Sequence, residues 1–79
     1  HPFPAITPSV CNLRPASRGH VHIQARDAAT APEIHLNYLS DEDDLKVAVD
    51  AMRFTRRIMA ASALARFQPE EFRPGPAID

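Results

Sequence analysis

The sequence predicts an α+β chain: a small antiparallel sheet, made of a hairpin and one further short strand, packed with one long amphipathic helix. Two observations predict it. Residues 20–26 alternate polar and apolar side chains with period two, which puts one set on each face of a strand. Residues 41–61 repeat apolar side chains at three- and four-residue spacing, which makes one stripe on a helix.

The elements follow in order. Pro2, Pro4 and Pro8 remove amide donors and fix φ, so residues 1–5 are expected to be extended. Residues 6–13 turn apolar and β-prone, with Ile6, Val10 and Leu13 able to face a core, and a strand is expected there. Residues 14–19 read as a turn, because Pro15 pushes Arg14 out of the α region and Gly19 supplies a permissive backbone position. The strand at 20–26 comes next. Val21, Ile23 and Ala25 share one face; His20, His22, Gln24 and Arg26 share the other. Two strands joined by a short Pro/Gly turn predict an antiparallel hairpin of 6–13 with 20–26.

After a polar, alanine-bearing loop at 27–32, residues 33–37 alternate briefly as a short strand or extended segment. Ser40 is the expected helix cap, with Asp43 three residues on as in a capping box. The acidic run 41–44 matches the positive end of the helix dipole. The stripe holds Leu45, Ala48, Val49, Met52, Thr55 and Met59, widened by Ala51, Phe54, Ile58 and Ala61. Lys46 and Asp50 are spaced as an i,i+4 ion pair. Arg53, Arg56 and Arg57 are read as a solvated basic face. Ser62 is placed to cap a short second turn over 63–67, and residues 68–79 are expected to be loop.

Composition narrows the function. Nine basic against ten acidic side chains lack the footprint of a nucleic-acid binder. The chain is 44% hydrophobic, too apolar for disorder, yet no run approaches the length that spans a bilayer. A cytoplasmic setting is expected, with membrane association left open for a parent protein. The single cysteine, Cys11, excludes an internal disulfide. Both chain ends read as cuts in a longer chain. At 79 residues a core on its own supplies little stability.

Chemistry-bearing motifs are sparse. Gly19 and Gly75 are the only glycines, and neither lies between a strand and a helix, where a dinucleotide or phosphate loop needs close backbone approach. None of Ser9, Ser17, Ser40 or Ser62 sits in a nucleophile elbow. Cys11 reads as a small apolar residue in a strand. His20 and His22 point the same way on a strand, and with His35 could share a metal. An exposed polar face, or histidines lining a cavity in a parent protein, accounts for them better, so no metal site is assigned.

The run Leu13-Arg14-Pro15-Ala16-Ser17-Arg18-Gly19-His20-Val21-His22-Ile23 resembles a segment of the C-terminal, substrate-binding half of glucose–methanol–choline oxidoreductases. The similarity continues through Ala31-Pro32-Glu33-Ile34-His35-Leu36-Asn37-Tyr38-Leu39-Ser40, then Arg53-Phe54-Thr55-Arg56-Arg57-Ile58-Met59-Ala60-Ala61, and on to Pro74-Gly75-Pro76. The succession is ordered and its flavour is bacterial and choline-dehydrogenase-like. The resemblance implies that residues 1–79 are part of a cap domain laid over FAD, which a separate Rossmann-like domain binds. It implies a parent enzyme that oxidises an alcohol by hydride transfer to flavin. The family's catalytic histidine belongs to a His-Pro-x-Gly-Thr run. His1-Pro2 shares only two letters of it and sits at the wrong end, so no catalytic role passes to His1.

These readings assign this chain no catalytic, cofactor-binding or metal-binding residue. Ser9, Cys11 and Asn12, on the expected 6–13 strand, are the candidates to face the substrate cavity. The expected partners are the FAD domain of the parent and a small alcohol, with self-association of the excised chain through exposed edges. The alternative is a free-standing α+β interaction module without chemistry.

Overall fold

The computed structural model describes residues 2–78. In chain order it holds strand β1 (His20–His22), strand β2 (Glu33–His35), helix α1 (Glu42–Met59) and a 3-10 helix (Ser62–Phe67). The α+β class and the long helix are as the sequence predicts. The reading of His1 lies outside the described residues.

The sheet has two strands. β1 pairs antiparallel with β2, with His20 opposite His35, Val21 opposite Ile34 and His22 opposite Glu33. Side chains alternate across a strand, so Val21 and Ile34 share one face while His20, His22, Glu33 and His35 share the other. The predicted alternation is therefore real, but it is paired for only three of its seven residues.

The expected strand at 6–13 does not form; this segment has no regular secondary structure and pairs with neither strand. Pro8 removes a ladder donor from its middle, and Ile6 and Leu13 are 72% and 86% exposed, with no sheet to lie on. The hairpin of 6–13 with 20–26 is thus replaced by the hairpin of β1 with β2, whose connection is the loop 23–32. Gly19 also acts differently from expectation. Its φ is not positive; instead a Cβ there would lie 2.1 Å from the His35 carbonyl oxygen and 2.5 Å from that of Leu36. Close approach of two backbones, not a turn conformation, requires glycine.

Asp41, not Ser40, caps α1: its carboxylate accepts the Asp43 amide at 2.8 Å. The Ser40 hydroxyl is turned instead to the Asn37 side-chain amide, 3.1 Å away. Glu42, Asp43 and Asp44 occupy the first turn, and Arg56 and Arg57 the last, both signs matched to the helix dipole. Lys46 and Asp50 form the ion pair their spacing predicts. The 3-10 helix begins at Ser62 without a side-chain cap and stops at Gln68, whose left-handed backbone (φ 48) lets its amide reach the Ala65 carbonyl at 3.0 Å. Pro69 bars any helical continuation.

No apolar side chain is buried among the described residues. One side of α1, carrying Ala48, Ala51, Thr55 and Met59, is half-buried. Around the rest, Leu45, Val47, Val49, Met52, Phe54 and Ile58 are exposed. A helix apolar on this many sides belongs inside a larger body. The radius of gyration agrees: 18.5 Å, against about 12 Å for a compact chain of this length. Helix and sheet are present without a core between them.

Candidate functional site

The best-ordered chemistry surrounds Asp44, in the first turn of α1. Its Oδ1 accepts the Ala16 amide at 2.8 Å and its Oδ2 the Ser17 amide at 2.7 Å. Asn12 Nδ2 donates to Oδ1 at 3.3 Å. Asp44 is 5% exposed, the one buried residue described. Hydrogen bonding from the Ser17 side chain, then from the Ala16 and Ser17 amides, holds its carboxyl below the ordinary aspartate value of 3.8. A carboxylate that accepts several N–H bonds favours its charged form in this way.

Further bonds extend the knot. The Ser17 hydroxyl accepts the Asp41 amide at 3.1 Å. Asn37 Nδ2 donates to the Arg18 carbonyl at 2.9 Å. Arg18 Nη1 donates to the Pro15 and Ser17 carbonyls at 2.6 and 2.9 Å, stiffening the turn. Residues 12–19, 35–37 and 40–44 thereby form one unit. Asn37 and Leu39 adopt left-handed backbone, at φ 54 and 58, to deliver the chain from β2 into the helix start. For Leu39 that conformation costs roughly 1 kcal/mol.

A second knot ties the end of α1 to the loop beyond it. Arg56 Nε and Nη2 grip the Glu71 carboxylate at 3.1 and 2.9 Å, a bidentate fork. Arg56 Nη2 also reaches the Gly75 and Ile78 carbonyls, and the Gly75 amide donates to Glu71 at 3.2 Å. The Arg56 guanidinium, by hydrogen bond first, holds the Glu71 carboxyl below its ordinary 4.5. Arg56 is therefore half-buried and engaged, which corrects its assignment to a solvated basic face.

The three cavity candidates are placed unequally. Ser9 and Cys11 lie exposed on the irregular segment before residue 13. Asn12 is half-buried, and its side chain spans the Arg14 amide at 3.1 Å and Asp44. The Asp44 knot thus anchors the segment that carries Ser9 and Cys11. Sequence reasoning missed Asp44 and Glu71. The first was hidden in a run of four acidic residues that dipole matching already explained, and the second stood in an apparent loop.

Ala16, Ser17, Arg18 and Asn37 of this first knot lie in the ordered motifs, and the comparison with known families covers all of the knot but its start at residues 12–14. The family model described as GMC oxidoreductase matches residues 15–79. The chain belongs to the GMC oxidoreductase family. Among bacterial relatives of this GMC chain, the oxygen-dependent choline dehydrogenase of Pectobacterium atrosepticum is 42% identical over 69 residues, covering 87% of this chain and 12% of the relative. That of Cronobacter sakazakii is 44% identical over 66 residues, covering 84% and 12%. The chain thus spans about one eighth of the length of the curated relatives it matches. No solved structure matches it.

The GMC family implies a flavin, and the described residues do not fit one. The space at Gly19 is filled by the β2 backbone, and Gly75, at φ 101, lies in the loop gripped by Arg56 and Glu71. Neither offers amides at a strand-to-helix turn for a pyrophosphate. The histidines weighed for a metal are brought together in part. His20 stacks on His22, with centroids 4.4 Å apart, and faces His35 at 4.6 Å. The close set of potential ligand atoms is His20, Glu33 and His35, not His22.

Proposed function

We propose that this chain is part of the substrate-binding half of a flavin-dependent alcohol oxidoreductase. In that enzyme a CH–OH group is oxidised by hydride transfer to FAD held by the rest of the protein, and this segment supplies scaffold and no reacting group. One observation carries the reading. Ala16, Ser17 and other motif residues of a GMC chain lock into a polar knot around Asp44, on a body that buries no apolar side chain among its described residues. Such a segment is stable when the other seven eighths of a protein the size of its relatives supply the core.

In this reading the Asp44 knot sets the course of the segment that precedes it, and Ser9, Cys11 and Asn12 contribute to the cavity wall. Asn12 acts there as an anchor, because both ends of its amide are engaged. The reading as a free-standing interaction module is disfavoured by the same exposed apolar surface. No helix among the described residues is long and apolar enough to cross a membrane; a cytoplasmic setting is part of the proposal.

The test is expression of the whole protein that contains this chain. The expected result is bound flavin, with its visible absorbance bleached anaerobically by an alcohol, choline being tried first because the relatives carry that name. A protein that holds no flavin, or whose flavin no alcohol reduces among choline, simple alcohols and polyols, overturns the reading.

A further inference from the structure

We propose that His20, Glu33 and His35 form a surface site for a late first-row divalent cation, Zn2+ being the simplest, which staples β1 to β2. The proposal departs from the sequence reading that no metal binds this chain, and it does not depend on the flavin assignment. It rests on register. His20 and His35 are direct cross-strand partners, and Glu33 precedes His35 by two residues, so all three side chains leave the same face of the sheet.

One ligand atom from each of the three lies within 4.8 Å of the others. Bonds of about 2.0–2.1 Å to a tetrahedral ion need ligand atoms about 3.4 Å apart. The difference is within reach of rotation about exposed side-chain bonds, with the backbone unmoved. The Glu33 carboxylate is already turned toward the imidazoles, with Oε1 2.5 Å from His35 Nε2. A cation takes the place of that contact between them.

The donor set selects the ion. Two imidazoles with one carboxylate suit zinc, copper or nickel over magnesium or calcium, which prefer all-oxygen shells. Three protein ligands leave a position for water. The sheet has a use for the ion, because strands of three residues make few ladder bonds and a two-stranded sheet is marginal alone. A bridge between the partners clamps the end of the hairpin away from the 23–32 loop, where His20 faces His35. His22 lies beside the site, stacked on His20, and is not a ligand.

The experiment titrates Zn2+ into the whole protein, purified without a polyhistidine tag, and follows binding by calorimetry. Cu2+ is used in parallel for the nitrogen couplings in its electron paramagnetic resonance spectrum. The expected result is one equivalent bound through two imidazole nitrogens. His20→Gln and His35→Gln should each lower affinity by on the order of 10–100-fold, Glu33→Gln should lower it measurably, and His22→Gln should leave it unchanged. Circular dichroism confirms that each variant is folded. Absence of binding at millimolar Zn2+, binding that survives both His20→Gln and His35→Gln, or equal damage from His22→Gln overturns the site.

Discussion

Asp44 and Ser17 are joined across 27 residues of sequence, the Oδ2 of one accepting the amide of the other at 2.7 Å. With the Ala16 amide on Oδ1, the carboxylate closes two consecutive N–H groups onto the start of a helix. An Asp44→Asn substitution keeps the size but turns one acceptor into a donor that faces an amide. In the whole protein the melting temperature is expected to fall by about 2 °C, with protease cleavage appearing in the stretch 12–19. An unchanged melting temperature in a thermal scan would show the knot to be ornamental.

The carboxylates of the two knots give a pH dependence with a definite sign. Asp44 and Glu71 both have carboxyls held below their ordinary values of 3.8 and 4.5. A group whose folded value is depressed contributes stability that is fully present above the unfolded value and lost as pH falls through the folded one. The contribution is therefore intact at neutral pH and fades below about pH 4.5 for Glu71 and 3.8 for Asp44. Denaturant titrations at descending pH are expected to show a smaller acid-induced loss in an Asp44→Asn, Glu71→Gln double variant than in the natural protein. An equal slope in both would place the acid sensitivity elsewhere.

The contrast between Gly19 and Asp44 marks how far the sequence could be read. Period-two alternation located β1, and helical spacing located α1 to within two residues at its C-terminal end, because both signals are local. The first strand was misplaced because alternation cannot say whether a partner exists, and Pro8 weakened the only candidate. Asp44, Arg56 and Glu71 were invisible as a set. Their roles come from contacts between segments 15 to 32 residues apart, and composition alone makes each an ordinary charged surface residue. For the site, Asn12 was legible as polar and near the motif, but its engagement with Asp44 was not.

Gly19 also yields a substitution with little room for compensation. Both nearest atoms to an added Cβ are backbone oxygens of residues 35 and 36 at the end of the hairpin. Neither can swing aside as a side chain would. Gly19→Ala is expected to destabilise the whole protein by about 3 kcal/mol, read as a lower denaturation midpoint and reduced soluble yield. Retention of wild-type stability would mean that the two backbones separate freely.

Arg56 and Glu71 test the second knot through geometry as well as charge. Arg56→Lys keeps the cation but loses the planar fork that meets both carboxylate oxygens. Hydrogen exchange in residues 71–78 of the whole protein should then quicken by on the order of tenfold, while exchange in α1 up to residue 55 stays unchanged. Identical exchange in the variant would reduce the fork to a point-charge contact.

The exposed face of α1 separates a segment from a domain by comparing one substitution in two settings. Phe54 is 55% exposed, and Ile58 and Val47, on the same side of the helix, are 50% and 43% exposed. If the remaining length of the protein covers them, a charge at position 54 is intolerable in the whole and harmless in the part. Phe54→Asp should therefore cost the whole protein about 3 kcal/mol or more and much of its soluble yield. The excised 79-residue chain should show no cooperative thermal transition and should self-associate through its uncovered apolar surface. In that chain Phe54→Asp is expected to reduce association, as light scattering after size-exclusion chromatography would show. A whole protein that tolerates Phe54→Asp, or an excised chain that stays monomeric at high concentration and melts cooperatively, would mean that these apolar side chains need no cover, and the scaffold reading would lose its physical basis.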